Sequence, residues 1–260
     1  MPYQLSSNDK EIVINLYNSY YSLFWSNDGF RNKHYFRYLL TDWKECLLDF
    51  VDSYAFERSQ VIKKYRDAAY QVINSYINND TIIDDSVNKL VNEQYTKILI
   101  NRIAINEDVN PFYEGRSIIS LCRELDHYNL VNFAKIKIEQ RNVTLAYDKI
   151  KNVRGVGQKI ACLWLRDVGD AFDLDVNEVD DPRKMQPIDR HVYDYVLSFS
   201  DRYGWGLPVK QSNTKKSYWK AAEIMIEIAR QCGLRHTLLN SAIWVSKARS
   251  ASALRARHNL

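Results

Sequence analysis

Lys159 stands in the run Val153-Arg154-Gly155-Val156-Gly157-Gln158-Lys159, and Asp189 in Pro187-Ile188-Asp189-Arg190-His191-Val192. Each has an ordinary explanation taken alone. A lone surface lysine does nothing, and an aspartate ahead of a helical stretch is an N-cap whose oxygen takes the next turn's N–H groups. Their settings change that reading. A Gly-Val-Gly turn between two helical stretches leaves backbone N–H groups unpaired at a helix start, which seats a phosphate. Glycine near a helix is costly unless a turn needs positive φ or a phosphate must come close. Gly155 and Gly157, with Arg154, Val156 and Gln158 around them, are therefore assigned to a nucleic-acid backbone. An amine beside a bound strand can attack an electrophilic sugar carbon, and a rigid carboxylate downstream can stabilise the cationic sugar that forms as a base leaves. Such an amine must be neutral when it attacks, which calls for desolvation or a cationic neighbour; Arg154 and Arg190 are candidates.

These segments resemble the helix-hairpin-helix, Gly/Pro-Asp superfamily of DNA glycosylases, whose patterns read Leu-Pro-Gly-Val-Gly-x-Lys-Thr-Ala and Val-Asp-x-His-Val. Gly155, Val156, Gly157, Lys159, Ala161, Asp189, His191 and Val192 fall on pattern positions, while Val153, Arg154 and Ile160 replace the customary Leu, Pro and Thr. The missing Pro loosens the hairpin, and Arg154 can add a phosphate contact. The resemblance implies an all-α protein of two helical lobes with the hairpin on one and a cleft between them. It implies excision of a modified base flipped out of double-stranded DNA, with Lys159 as nucleophile in a Lys-dependent lyase step and Asp189 as stabiliser. Arg190 and His191 join the DNA-binding segment, His191 as a helix-start residue rather than a base. No cofactor and no resident metal are expected beyond a monovalent cation at the hairpin carbonyls, and the chain is expected to act as a monomer.

The superfamily inserts a side chain into the space left by the flipped nucleotide from a helix and turn that correspond to Asp52–Arg58 here. Tyr54 and Phe56 are the wedge candidates, weighed against the core positions that aromatics at helical spacing more often take. Trp205 and Trp244 are candidates for stacking on the extruded base, and Trp205, between two glycines, is the less core-like.

Lys159 and Asp189 lie thirty positions apart, more than is common in the superfamily. The longer segment is similar to the archaeal 8-oxoguanine glycosylase subclass. Leu239-Asn240-Ser241-Ala242-Ile243-Trp244 looks like the Leu-Asp-Thr-Leu-Leu-Trp of that subclass's last helix, with Asn240 in place of the acid. The 21 asparagines argue against a heat-adapted source. Some bacterial glycosylases similar to this group excise bulky modified cytosines from phage DNA. Glucosylated hydroxymethylcytosine in antiviral defence and 8-oxoguanine in repair therefore stand level as substrates. The contrasting class is a non-catalytic protein that uses the hairpin only to grip DNA, which needs the glycines but neither Lys159 nor Asp189.

The elements that must position these residues are read as helices throughout. The 260 residues hold only 8 Gly and 5 Pro, with no Asn-Gly and a single Asp-Gly pair at Asp28-Gly29, and long runs such as 35–78 and 214–232 have helical apolar spacing. Helices are expected over 9–24, 35–55, 60–78, 86–103, 116–125, 128–140, 158–168, 190–200, 215–231 and 236–247. A central lobe is expected over 35–200, with the hairpin at about 144–169, facing a second lobe from 1–34 and 201–260. The acidic run Asp170–Asp181 lacks the Gly and Glu an EF-hand requires and reads as a solvated insertion. Cys46, Cys122, Cys162 and Cys232 are scattered, which argues against structural zinc or an iron–sulfur cluster. With no apolar span, a cytoplasmic, nucleoid-associated protein is expected, without a membrane partner. From Arg202 onward, eleven Lys or Arg against Glu223 and Glu227 leave +9, so that the rest of the +4 chain is −5. That basic quarter suits phosphates.

Overall fold

A computed structural model describes residues 3–25, 31–55, 70–78, 81–82, 111–209 and 215–250. The chain is all-α, and among the described residues its one sheet is a two-residue antiparallel ribbon, Ile77–Asn78 against Thr81–Ile82. Helix α1 spans Ser7–Phe24, α2 Lys33–Leu39 and α3 Trp43–Phe50, which runs into a π-helical turn at Val51–Ala55. After the ribbon come α4 (Pro111–Arg123), α5 (Leu130–Glu139), α6 (Val143–Lys151), α7 (Gln158–Ala171), α8 (Arg190–Tyr203), α9 (Lys215–Gln231) and α10 (His236–Ser250). Short polar side chains set many of the starts, as their oxygens occupy first-turn amides. Ser6, Asn32, Asp42, Asn129, Asn142 and Asp189 cap α1, α2, α3, α5, α6 and α8 in this way.

The helix expected over 35–55 is two, because Asp42 takes the amides of Lys44 and Glu45 at 3.0 Å and restarts the chain as α3. The helices expected over 60–78 and 86–103 fall largely or wholly outside the described residues. Apolar packing forms two clusters. One gathers buried residues from Phe36 to Met185, around α7 and its neighbours α5 and α6. The other joins Leu5 and Val13 to residues from Ile188 to Ile243, on α8, α9 and α10. Helix α8 thus buries its apolar face with α9 and α10, whereas the sequence reading grouped residues up to 200 with the central region. Helix α1 packs along α10, bringing the chain's first and last described helices together.

The acidic segment is only partly solvated, contrary to expectation. Asp170 is fully buried, Asp181 accepts from the Arg183 amide at 3.2 Å, and Asp173, at φ 54°, pairs with Lys33 and Arg37. These acids cap and tie elements rather than hang free. All four cysteines are free thiols. Among the described residues no helix is long and apolar enough to cross a membrane.

Candidate active site

Helices α6 and α7 are joined by the turn 152–157. It tightens at once, the Val153 amide reaching Ile150 O at 3.1 Å and the Val156 amide reaching Val153 O at 3.0 Å. Gly155 sits at φ 87°, a left-handed conformation that side-chain-bearing residues rarely take. The Arg154 amide donates to Ser117 Oγ at 2.9 Å, fixing the turn on α4, while Val153 and Val156 are buried beneath it. Gly157 then serves as N-cap of α7 without any side-chain hydrogen bond. Six helices are capped by side chains; at α7, which carries the lysine, the Gly157 cap makes no side-chain hydrogen bond among the described residues. Lys159 lies exposed in that turn, and Gln158 is half-buried behind it. Among the described residues Lys159 forms no ion pair.

Asp189 is the N-cap of α8. Its Oδ1 accepts from the Val192 amide at 2.9 Å, and its backbone oxygen from the Tyr193 amide, also at 2.9 Å. A cap of this kind stabilises by about 1 kcal/mol and holds the carboxylate in one rotamer. Its Oδ2 has no hydrogen bond among the described residues. Pro187 and Ile188, immediately before it, are buried, so the carboxylate emerges half-exposed from an anchored strand of backbone. His191 is half-buried in the first turn of α8, and Arg190 is exposed, 3.7 Å from Asp194.

Lys159 and Asp189 do not touch, but they belong to one junction. Tyr218 of α9 accepts from the Ile188 amide at 3.1 Å and donates to Gln186 O at 2.9 Å, clasping the loop that ends in Asp189. Burial pushes the Cys162 thiol of α7, beneath this loop, up to about 12. The short turn Pro182–Met185 that leads into the loop packs against α7. The aspartate loop is thereby held against the helix that carries Lys159.

Behind the junction lies a buried polar chain that local sequence patterns do not reveal. Tyr54 donates to Asp167 Oδ2 at 2.8 Å, and Arg166 donates to Asp167 Oδ1 from Nε at 2.9 Å. Arg166 Nη1 donates to Asn240 Oδ1 at 3.0 Å, and Asn240 Nδ2 donates to Gln186 Oε1 at 3.0 Å and to Pro187 O at 3.3 Å. Gln186 Nε2 meets His236 Nδ1 at 2.5 Å, and His236 Nε2 meets Val176 O at 3.2 Å. Arg31 lies 4.6 Å over the Tyr54 ring, and Arg166 4.8 Å over that of Phe24.

The aromatic candidates separate clearly. Tyr54 has no exposed surface, being stacked on Phe50 and set edge-on to Trp164 at 4.8 Å, so it is a core residue and not a projecting wedge. Phe56 lies outside the described residues. Trp205 is not loose in its loop: Gly204 and Gly206, both at positive φ, fold it back to stack on Tyr203 at 5.1 Å and meet Tyr3 edge-on. Trp244 of α10 is half-buried, edge-on to Phe24 at 6.4 Å. No protein-family model matches the chain, and no curated protein or solved structure matches it.

Proposed function

We propose that this chain is a DNA glycosylase that flips a modified base out of duplex DNA and excises it, with a lyase step through Lys159. The observation that carries the reading is the arrangement around α7: a helix start with no side-chain cap behind a positive-φ glycine, an exposed lysine in its first turn, and a fixed carboxylate on a loop fastened to the same helix. The first-turn amides of α7, whose Gly157 cap makes no side-chain hydrogen bond, take a phosphate, as helix starts do. The strand's sugar then lies between Lys159 and Asp189. As the C1′–N bond breaks, the base departs with the electron pair and the Asp189 carboxylate stabilises the cationic sugar. Lys159 Nζ bonds to C1′, loses a proton, and opens the ring to an imine. Loss of the C2′ proton and cleavage of the C3′–O bond then nick the strand. Trp244, half-buried where Tyr54 has no exposed surface, is the candidate face for the extruded base.

The base is either 8-oxoguanine, in repair, or a bulky glucosylated hydroxymethylcytosine, in defence against phage. Incubating the protein with duplexes that carry each base, followed by strand-break assays with and without alkali, tests the reading. Release of one base, lost in both Lys159→Gln and Asp189→Asn, supports it. Tight duplex binding with release of neither would leave a non-catalytic hairpin protein. Plating phage with and without glucosylated DNA on cells that express the protein separates defence from repair.

A further inference from the structure

The buried chain of polar groups has its direction fixed from one end. The Arg166 guanidinium can only donate, so Asn240 must turn Oδ1 toward it. Asn240 Nδ2 then faces Gln186 Oε1 and Pro187 O, which leaves Gln186 Nε2 to face His236 Nδ1. The His236 ring must therefore be neutral, accepting at Nδ1 and donating from Nε2 to Val176 O. Every residue in this relay from Arg166 to His236 is at least 97 % buried, so a group facing the wrong way has no water to turn to. The relay ends on Gln186 and Pro187, and Asp189 follows two residues after Pro187.

We propose that Asn240 is a positioning residue for Asp189: by accepting from Arg166 and donating to Gln186 and Pro187, it fixes the loop that presents the carboxylate. The inference rests on the glycosylase reading above. It explains why an amide occupies this position. An aspartate would satisfy Arg166 but set a second acceptor against Gln186 Oε1 and the Pro187 carbonyl. Gln186 could relieve the first clash only by turning its amide over, which would aim Oε1 at His236 Nδ1. A neutral ring that donates from Nδ1 would set a bare Nε2 against Val176 O, so both contacts hold together only if His236 carries a second proton.

A distinctive signature follows. In Asn240→Asp the loop is correctly held when His236 is protonated and misplaced when it is neutral. Around the ring stand Arg235, immediately before α10, whose charge opposes that proton, Asp170 of α7, which accepts from Arg235, the Gln186 amide and the Val176 carbonyl. In the native protein burial first, and Arg235 with it, holds His236 down to about 4. The folded-state value is depressed, so the native ring contributes stability above its unfolded value of about 6.5, lost as pH falls toward 4. In Asn240→Asp the folded state favours the proton, and the corresponding contribution is present at low pH and lost as pH rises.

The test is single-turnover base release and thermal melting across pH 5 to 8.5 for the native protein, Asn240→Asp, Asn240→Ala and Gln186→Glu, on the duplex the native protein processes. Gln186→Glu opposes a carboxylate to His236 Nδ1 from the other side, so it should share the signature even if Asn240→Asp folds poorly. At pH 8 both acidic variants should release base about a hundredfold more slowly, the scale of a misplaced catalytic group, with duplex affinity unchanged. Their deficit in rate and in melting temperature should narrow toward pH 5, and that of Asn240→Ala should not. Native rates in both acidic variants at pH 8, or a deficit that does not change with pH, would overturn the positioning role while leaving the enzyme reading intact. A native protein that releases no base from any duplex would overturn both.

Discussion

The first turn of α7 is exposed and without a side-chain cap, with the Lys159 amine in solvent, whereas from Ala161 to Ala171 the same helix is buried on almost every side, Leu163 being partly open. At the first end a charge costs little to hold and is free to meet a ligand. At the other, Arg166, Asp167 and Asp170 are held where an uncompensated charge would cost several kcal/mol. Each is matched: Asp167 by Arg166, Tyr54 and Arg31, and Asp170 by Arg235 and Thr237. The comparison teaches that one helix can separate its duties, keeping an exposed amine at an end without a side-chain cap and placing the groups that hold the surrounding loops along its buried length.

The contrast breaks most visibly at the buried end. Asp167→Ala strands Arg166 and takes the acceptor from Tyr54, so it should cost about 3–5 kcal/mol, or roughly 10 °C in melting temperature. A loss below about 1 kcal/mol by denaturant unfolding would mean that the network contributes little to stability. Asp189→Asn should lower base release by about 10²–10³, the worth of a preorganised electrostatic group, at nearly unchanged stability because Asn caps as well as Asp. Inactivity accompanied by a large fall in melting temperature would assign Asp189 to capping alone.

Smaller effects sharpen the exposed end. Gly155→Ala forces a side chain into φ 87° and should cost about 1 kcal/mol, with weaker duplex binding. At Gly157 an added Cβ meets nothing within 4 Å. Gly157→Ala should therefore cost only about 0.5–1 kcal/mol of stability, from the poorer N-cap that Ala makes, yet reduce duplex affinity if a phosphate approaches these amides closely. Unchanged affinity in both variants would place the DNA backbone elsewhere.

The glycine turn at Gly155, the N-cap at Asp189 and the all-helical course were legible because each depends on local rules of turn, cap and period. The buried network was not. Arg166 and Asp167 lie between Leu165 and Val168, and helical periodicity can say only that a charged pair belongs outside; the partners that reverse this, Tyr54 and Asn240, are 113 and 74 residues away. Asn240 stood out in the sequence only as a departure from a pattern, and its value as a group that both donates and accepts needs the flanking Arg166 and Gln186 to be seen. Trp205 misled for a related reason: two flanking glycines read as looseness, but their positive φ values bend the ring onto Tyr203.

The central claim is that the Lys159 amine reacts with a sugar carbon of bound DNA, and a duplex carrying a single abasic site tests it without knowledge of the base. Borohydride added during incubation should trap a covalent protein–DNA adduct with the native chain, and peptide mapping should place the link at Lys159. Lys159→Gln should bind the same duplex with native affinity and give no adduct. An adduct of equal yield in that variant, or none with a native protein that releases base, would contradict the account.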